Sequence, residues 1–154
     1  MAWRQFVKQG LEAIMPVDFR DAAERHYEDA GYLLADDRLA DADHLFGLSG
    51  ECALKAVMLS LGMALRPDGA PADGHHRVHI NKLWTEFITF ANDRSGAHYT
   101  SRMPDASNPF DDWDVNQRYH HRSGITSEVI EKHRQATIKT RQVLETAVLN
   151  GDVI

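Results

Sequence analysis

The chain lacks most of the features that would commit it to a membrane, to an oxidising compartment or to a nucleic-acid backbone over its whole surface. It has a single cysteine, Cys52, which excludes an internal disulfide, and the apolar run CALKAVML around it suits a small buried thiol. No apolar run approaches the roughly 20 residues of a membrane span. The N-terminal MAWRQFVKQGLEAIM has neither the apolar core nor the cleavage site of an export signal. A cytoplasmic protein without membrane association is expected. Basic residues are in deficit, 17 Lys and Arg against 23 Asp and Glu for a net charge of −6 with neutral histidines, so any binding of nucleic acid has to be local. There is also no phosphate-cradling glycine loop, no serine in a strand-to-helix elbow and no base beside Cys52, which leaves nucleophilic catalysis without support.

Strand signals are missing as well: no segment alternates with a period of two between hairpin turns, and no internal repeat is visible. What is present is helical periodicity over 154 residues, 43% of them hydrophobic, enough for one domain with its own core. A first helix is predicted over about 18–36, with Asp18 as N-cap and Phe19, Ala22, Ala23, Tyr27, Ala30, Leu33 and Leu34 recurring at three and four. After a tight turn at 36–38, a second helix over about 39–62 has two apolar stripes. Leu45, Leu48, Cys52, Ala56 and Leu59 form one, and Ala42, Phe46, Ala53 and Val57 the other. This helix is expected at the buried centre, and Gly47 and Gly50 within it predict close helix contact.

The stretch RPDGAPADG reads as a loop. A third helix is predicted over about 78–92, with Ile80, Leu83, Trp84, Phe87, Ile88 and Ala91 on one face. Residues 93–111 hold two prolines and no sustained period, and read as a long loop. A last helix over about 126–149 places Val129, His133, Ala136, Thr140, Val143 and Ala147 beside Ile130, Thr137, Leu144 and Val148, and stops at Asn150 and Gly151. The expected fold is all-α: an up-down bundle of four to five helices in a single domain over 1–154, with its core at about 18–149.

Nine histidines are the one compositional surplus, and they make local charge sensitive to pH. His75 and His79 are four apart, a spacing that would let two imidazoles share a metal on one helix face. No third ligand accompanies them, so they are weak metal candidates and no cofactor is expected. His44 is expected to pair with a carboxylate such as Asp41. The densest group of functional side chains is in DWDVNQRYHHRSG, where Arg118, Tyr119, His120, His121 and Arg122 follow one another. Arginine forks phosphate oxygens, an aromatic ring stacks on a base, and histidine can move the proton of a ribose hydroxyl. The alternative is that Asp111, Asp112 and Asp114 neutralise the arginines and the histidines are merely solvated.

ECALKAVM in the second helix, HINKLW at the third and NQRY ahead of the last, taken in that order, resemble HEPN (higher eukaryote and prokaryote nucleotide-binding) domains over about 18–149. The resemblance implies a helical bundle, usually a homodimer with a cleft at its interface. Active members are metal-independent ribonucleases of toxin-antitoxin or antiviral systems, with an arginine and a histidine separated by four to six residues. Here Arg118 is followed by histidines at the next two positions, Arg94 and His98 are separated by one residue too few, and Arg38 and His44 have the spacing but precede the second helix. The family spacing is therefore not met near the last helix, and binding of RNA or a nucleotide is expected ahead of cleavage. In a catalytic version Arg118 would hold the phosphate while His120 or His121 acts as acid or base. Tyr119, Arg122, Asn116 and the i, i+4 pair Glu51 and Lys55 would bind the ligand, in a polar cleft formed by the five cluster residues. The second reading is a non-catalytic module that meets a partner protein through the acidic surface and the 93–111 loop.

Overall fold

The computed structural model describes residues 16–103 and 107–153, so the N-terminal stretch and part of the predicted long loop lie outside the described residues. Five α-helices account for most of these residues: α1 Phe19–Ala35, α2 Leu39–Ser60, α3 Ile80–Asn92, the single turn α4 Ala97–Thr100, and α5 Ser127–Leu149. Two 3-10 turns, Val115–Tyr119 and Arg122–Gly124, precede α5. Among the described residues there is no strand, only an isolated bridge between Leu65 and Pro71. The all-α expectation holds at that level. No helix among them is long and apolar enough to cross a membrane.

The helix ends follow local chemistry. Asp18 caps α1 by accepting a hydrogen bond from the Asp21 amide at 2.9 Å, and Thr126 caps α5 by accepting from Val129 at 3.2 Å. The turn between α1 and α2 places Asp37 at φ 59°, a left-handed conformation that aspartate tolerates better than most residues. α5 ends at Asn150 with Gly151 at φ 78°, as its sequence predicts.

α2 is the central element, with α1, α3 and α5 packed around it. Ala42, Phe46, Ala53, Val57, Leu54 and Met58 are fully buried, whereas in the predicted companion stripe only Ala56 is buried, Leu45, Leu48 and Cys52 are half-buried and Leu59 is exposed. Ser49 donates to the Ala23 carbonyl at 2.7 Å and Thr137 donates to the Phe46 carbonyl at 2.8 Å, so hydroxyls tie α2 to α1 and α5 where the backbones come close. Arg141 on α5 reaches α1, pairing with Glu24 at 2.9 Å and lying 3.9 Å over the Tyr27 ring.

Three expectations need correction. α3 begins at Ile80 rather than near residue 78, so His75 sits in a turn and His79 at the N-cap, and the two share no helix face. The 93–111 segment is not structureless among its described residues, because α4 interrupts it and buries Tyr99, and Phe110 further along is also in the core. Gly47 meets an indole instead of a neighbouring helix: a Cβ built on it would lie 2.1 Å from Trp113, while one on Gly50 would make only ordinary contacts at 3.4 Å and beyond. The glycine therefore opens a slot on α2 into which Trp113 packs.

Gly47→Ala is expected to lower stability by about 1–3 kcal/mol, since the buried indole has to move. Gly31→Ala, on the exposed side of α1 with open space around it, should instead raise it by about 0.5–1 kcal/mol through helix propensity. Urea unfolding of the two variants checks both signs.

Candidate functional site: a histidine clamp beneath an exposed cationic patch

The segment carrying Arg118 to Arg122 is fixed to the helices by what precedes it. Phe110 and Trp113 are fully buried. The Trp113 indole donates to the Asp43 carbonyl at 3.1 Å, and Asn108 donates to the Asn81 carbonyl at the start of α3. Between the two aromatics, Asp112 turns toward α5 and meets His133.

His133 is fully buried and lies between two carboxylates. Its Nδ1 is 2.6 Å from Asp43 Oδ1, and its Nε2 is 2.7 Å from Asp112 Oδ1. For both ring nitrogens to donate, the ring must be an imidazolium. Lys132 donates to the other Asp112 oxygen at 2.6 Å, and Gln117 donates to Asp43 Oδ2 at 2.6 Å. Phe110 stacks on the ring at 5.5 Å between centroids. Burial by itself would push the His133 pKa down; the hydrogen bonds and charges of Asp43 and Asp112 outweigh it and hold the pKa above its ordinary value. Burial likewise works to raise the Asp112 pKa, but the bonds from Lys132 and His133 prevail and lower it.

A second polar group flanks Trp113 on the other side. Glu51 is almost buried and bridges two partners: Lys55 donates to Oε2 at 3.1 Å, and His79 Nδ1 donates to Oε1 at 2.8 Å. Half of the His79 side chain remains exposed. His44 stacks on Trp113 with centroids 5.7 Å apart and planes 16° apart, while His79 approaches the same indole at 6.2 Å. Burial first, and then the nearby Arg118 charge, lower the His44 pKa, so this ring is neutral at pH 7. Its Nδ1 is enclosed without a hydrogen-bond partner, so the expected pairing with Asp41 does not occur: the ring lies flat on the indole.

Above this layer, Arg118, Tyr119, His120, His121 and Arg122 are all exposed, Tyr119 to 75%. The Arg118 guanidinium stacks 4.8 Å over the Tyr119 ring. Neither Arg118 nor Arg122 forms a salt bridge with a described carboxylate. The aspartates that might neutralise them are largely engaged elsewhere, Asp112 with Lys132 and His133 and Asp114 as the cap of the Val115–Tyr119 turn. Asn116 is exposed, and its amide donates to Asp114. His121 Nδ1 accepts from the Ser123 amide at 3.2 Å, which leaves its Nε2 as the proton-bearing nitrogen; the His120 ring has no hydrogen-bond partner among the described residues, though its backbone amide donates to the Gln117 carbonyl.

The predicted site residues therefore fall into two groups. The five cluster residues and Asn116 share one surface, while Glu51 and Lys55 form a buried pair linked to it through His79 and Trp113. His75 lies apart, bonded to Asp73 at 3.0 Å, and no group of three potential metal ligands occurs among the described residues. Asp43, Asp112, Gln117 and His133 are the residues that sequence reasoning missed as a set. The available signal was an ionisable residue on each apolar face, His133 within the α5 stripe and Asp43 between Ala42 and Phe46.

The class defined by these features is an all-helical protein with a buried histidine–carboxylate clamp beneath an exposed guanidinium and imidazole patch. No known family model, curated protein or solved structure matches the chain.

His133→Ala should lower stability by about 3–5 kcal/mol, because it leaves Asp43 buried with only Gln117 as a side-chain partner. The raised His133 pKa contributes stability that is complete below the ordinary histidine value and fades as pH rises through the shifted one. The depressed Asp112 pKa contributes stability that is complete above the ordinary aspartate value and is lost as pH falls through the shifted one. The melting temperature should accordingly decline as pH rises above the ordinary histidine value in the native chain, and less steeply in a folded His133→Gln variant.

Proposed function

We propose that this chain is a HEPN-like helical bundle that binds RNA or a nucleotide through the surface formed by Arg118, Tyr119, His120, His121, Arg122 and Asn116. The observation that carries this reading is that both guanidiniums lack a described carboxylate partner on a protein of net charge −6, in a segment rich in aspartate. A free fork of N–H donors suits phosphate oxygens, and an exposed tyrosine offers a stacking face. The clamp below keeps Asp112 away from the arginines, and the Asp114 cap occupies the second nearby carboxylate.

Binding is favoured over cleavage. His121 is held as a hydrogen-bond donor toward solvent by the Ser123 amide, and Arg118 is not followed at the family spacing by a histidine. In a metal-independent ribonuclease built here, Arg118 would stabilise charge on the phosphate and His120 or His121 would move the proton. The HEPN resemblance adds a homodimer and a role in a toxin-antitoxin or antiviral system. The other reading, a protein-interaction module, calls for arginines neutralised by Asp111, Asp112 and Asp114, and the commitment of two of these aspartates elsewhere weighs against it.

Arg118→Ala combined with Arg122→Ala should weaken binding of a short single-stranded RNA by about tenfold or more at low salt, and flatten its salt dependence, without changing the melting temperature. Fluorescence anisotropy of labelled RNA over a salt series reads this directly. Unchanged affinity in the double variant would remove the patch from the binding surface.

A further inference from the structure

On the opposite side of the Glu51 bridge, Lys55 and His79 line a depression that contains none of the five cluster residues. Its walls are Val17, Phe19, Pro71 and Val78, with Arg77 at the rim, and its volume is about 370 Å³. That size falls within the range of small-molecule sites, as does a mostly apolar lining with a few convergent polar groups.

Two features distinguish it from an ordinary surface hollow. First, the Lys55 side chain is only 9% exposed, and a lysine buried to that degree is rare unless its charge is matched. Its match is incomplete: the ammonium has three donors, and among the described residues only Glu51 accepts from it. Glu51 is itself divided between Lys55 and His79. Second, the Arg77 guanidinium donates to two backbone carbonyls, Pro71 at 3.1 Å and Ala72 at 2.9 Å, and has no salt bridge with a described carboxylate. The acidic side chain in the lining, Asp68, is paired with Arg66 at 3.1 Å. The pocket therefore keeps a surplus positive charge on a protein that is negative overall. Carbonyl acceptors hold Arg77 in place without cancelling that charge.

A ligand complementary to this lining has an anionic end for Lys55, His79 and Arg77 and a flat apolar body for Phe19, Pro71 and Val78. We infer that the pocket is a small-molecule site for a mononucleotide, the phosphate seated at Lys55 and Arg77 and the base against Phe19, separate from the exposed patch at Arg118. The binding step involves no covalent change. This goes beyond RNA binding at the patch, and either site can exist without the other.

The test is isothermal titration of the 154-residue chain with AMP and UMP, with adenosine and inorganic phosphate as the two halves of the ligand, at low salt. The expected result is saturable binding of a mononucleotide, weaker by about tenfold or more for either half alone and by a similar factor in Arg77→Gln and Lys55→Met. Binding in the Arg118→Ala, Arg122→Ala double variant should match the parent. Arg77 is exposed, so its variant keeps the test decisive if Lys55→Met fails to fold by circular dichroism. The inference is overturned if neither mononucleotide binds, if Arg77→Gln and any folded Lys55→Met bind as the parent does, or if binding disappears in the Arg118, Arg122 double variant but persists in Arg77→Gln. The last result would move the nucleotide to the outer patch and leave the RNA-binding reading standing. Loss of RNA binding in that double variant with nucleotide binding intact supports both sites.

Discussion

A protonated imidazole held between two carboxylates organises the half of this molecule that carries the candidate site. Asp43 comes from α2, His133 from α5 and Asp112 from the segment that leads to the cationic patch, so one side chain joins three parts of the chain far apart in sequence. A buried ion triad of this kind is not cheap, because each ion has to leave water, and apolar residues of the same volume would often serve stability as well. What the triad supplies is position. Asp112 can reach His133 only if Phe110 and Trp113 on either side of it are inserted, and Trp113 can be inserted only because Gly47 has no side chain. The clamp, the indole slot and the Gln117 bond to Asp43 together fix where the chain emerges as Arg118 to Arg122.

The same arrangement sorts the charges. The protein is acidic, and an acidic segment leads directly into its most cationic stretch. Left to itself, such a segment would fold back and neutralise its own arginines. Here the carboxylate of Asp112 is drawn inward by His133 and Lys132, and that of Asp114 is turned to its own backbone. Two guanidiniums are left facing solvent. On the other side of Trp113, Glu51 is divided between Lys55 and His79, and the result is similar: a lysine whose neutralisation is partial. Trp113 stands between the two, with His44 and His79 against its ring.

Much of the fold was legible in the sequence, because helical periodicity and capping are local properties. The bounds of α1, α2 and α5 follow from Asp18, Gly62 and Gly151 and from the apolar stripes, to within a residue or two. The start of α3 lies two residues later than its pattern implies, enough to take His79 off the helix, because His79 and Val78 continue the pattern while the His79 backbone is still extended. The site was legible only in its outer layer. The five cluster residues are adjacent in the chain, so composition alone draws attention to them. Asp43, Asp112, Gln117 and His133 are between 20 and 90 residues from their side-chain hydrogen-bond partners, and no local rule pairs them. Gly47 was read as a helix-contact glycine because spacing gives the need for a small residue without saying what fills the space.

The central claim is that His133 is an imidazolium locked between Asp43 and Asp112 around neutral pH. Long-range nitrogen–proton NMR of the ¹⁵N-histidine-labelled protein tests it most directly, since ring nitrogen shifts separate the charged ring from either neutral tautomer. The account predicts that one of the nine histidines stays doubly protonated as pH passes the ordinary histidine value, with both ring protons protected from exchange, and that this signal vanishes in His133→Gln. A His133 ring that titrates at or below the ordinary histidine value would contradict it.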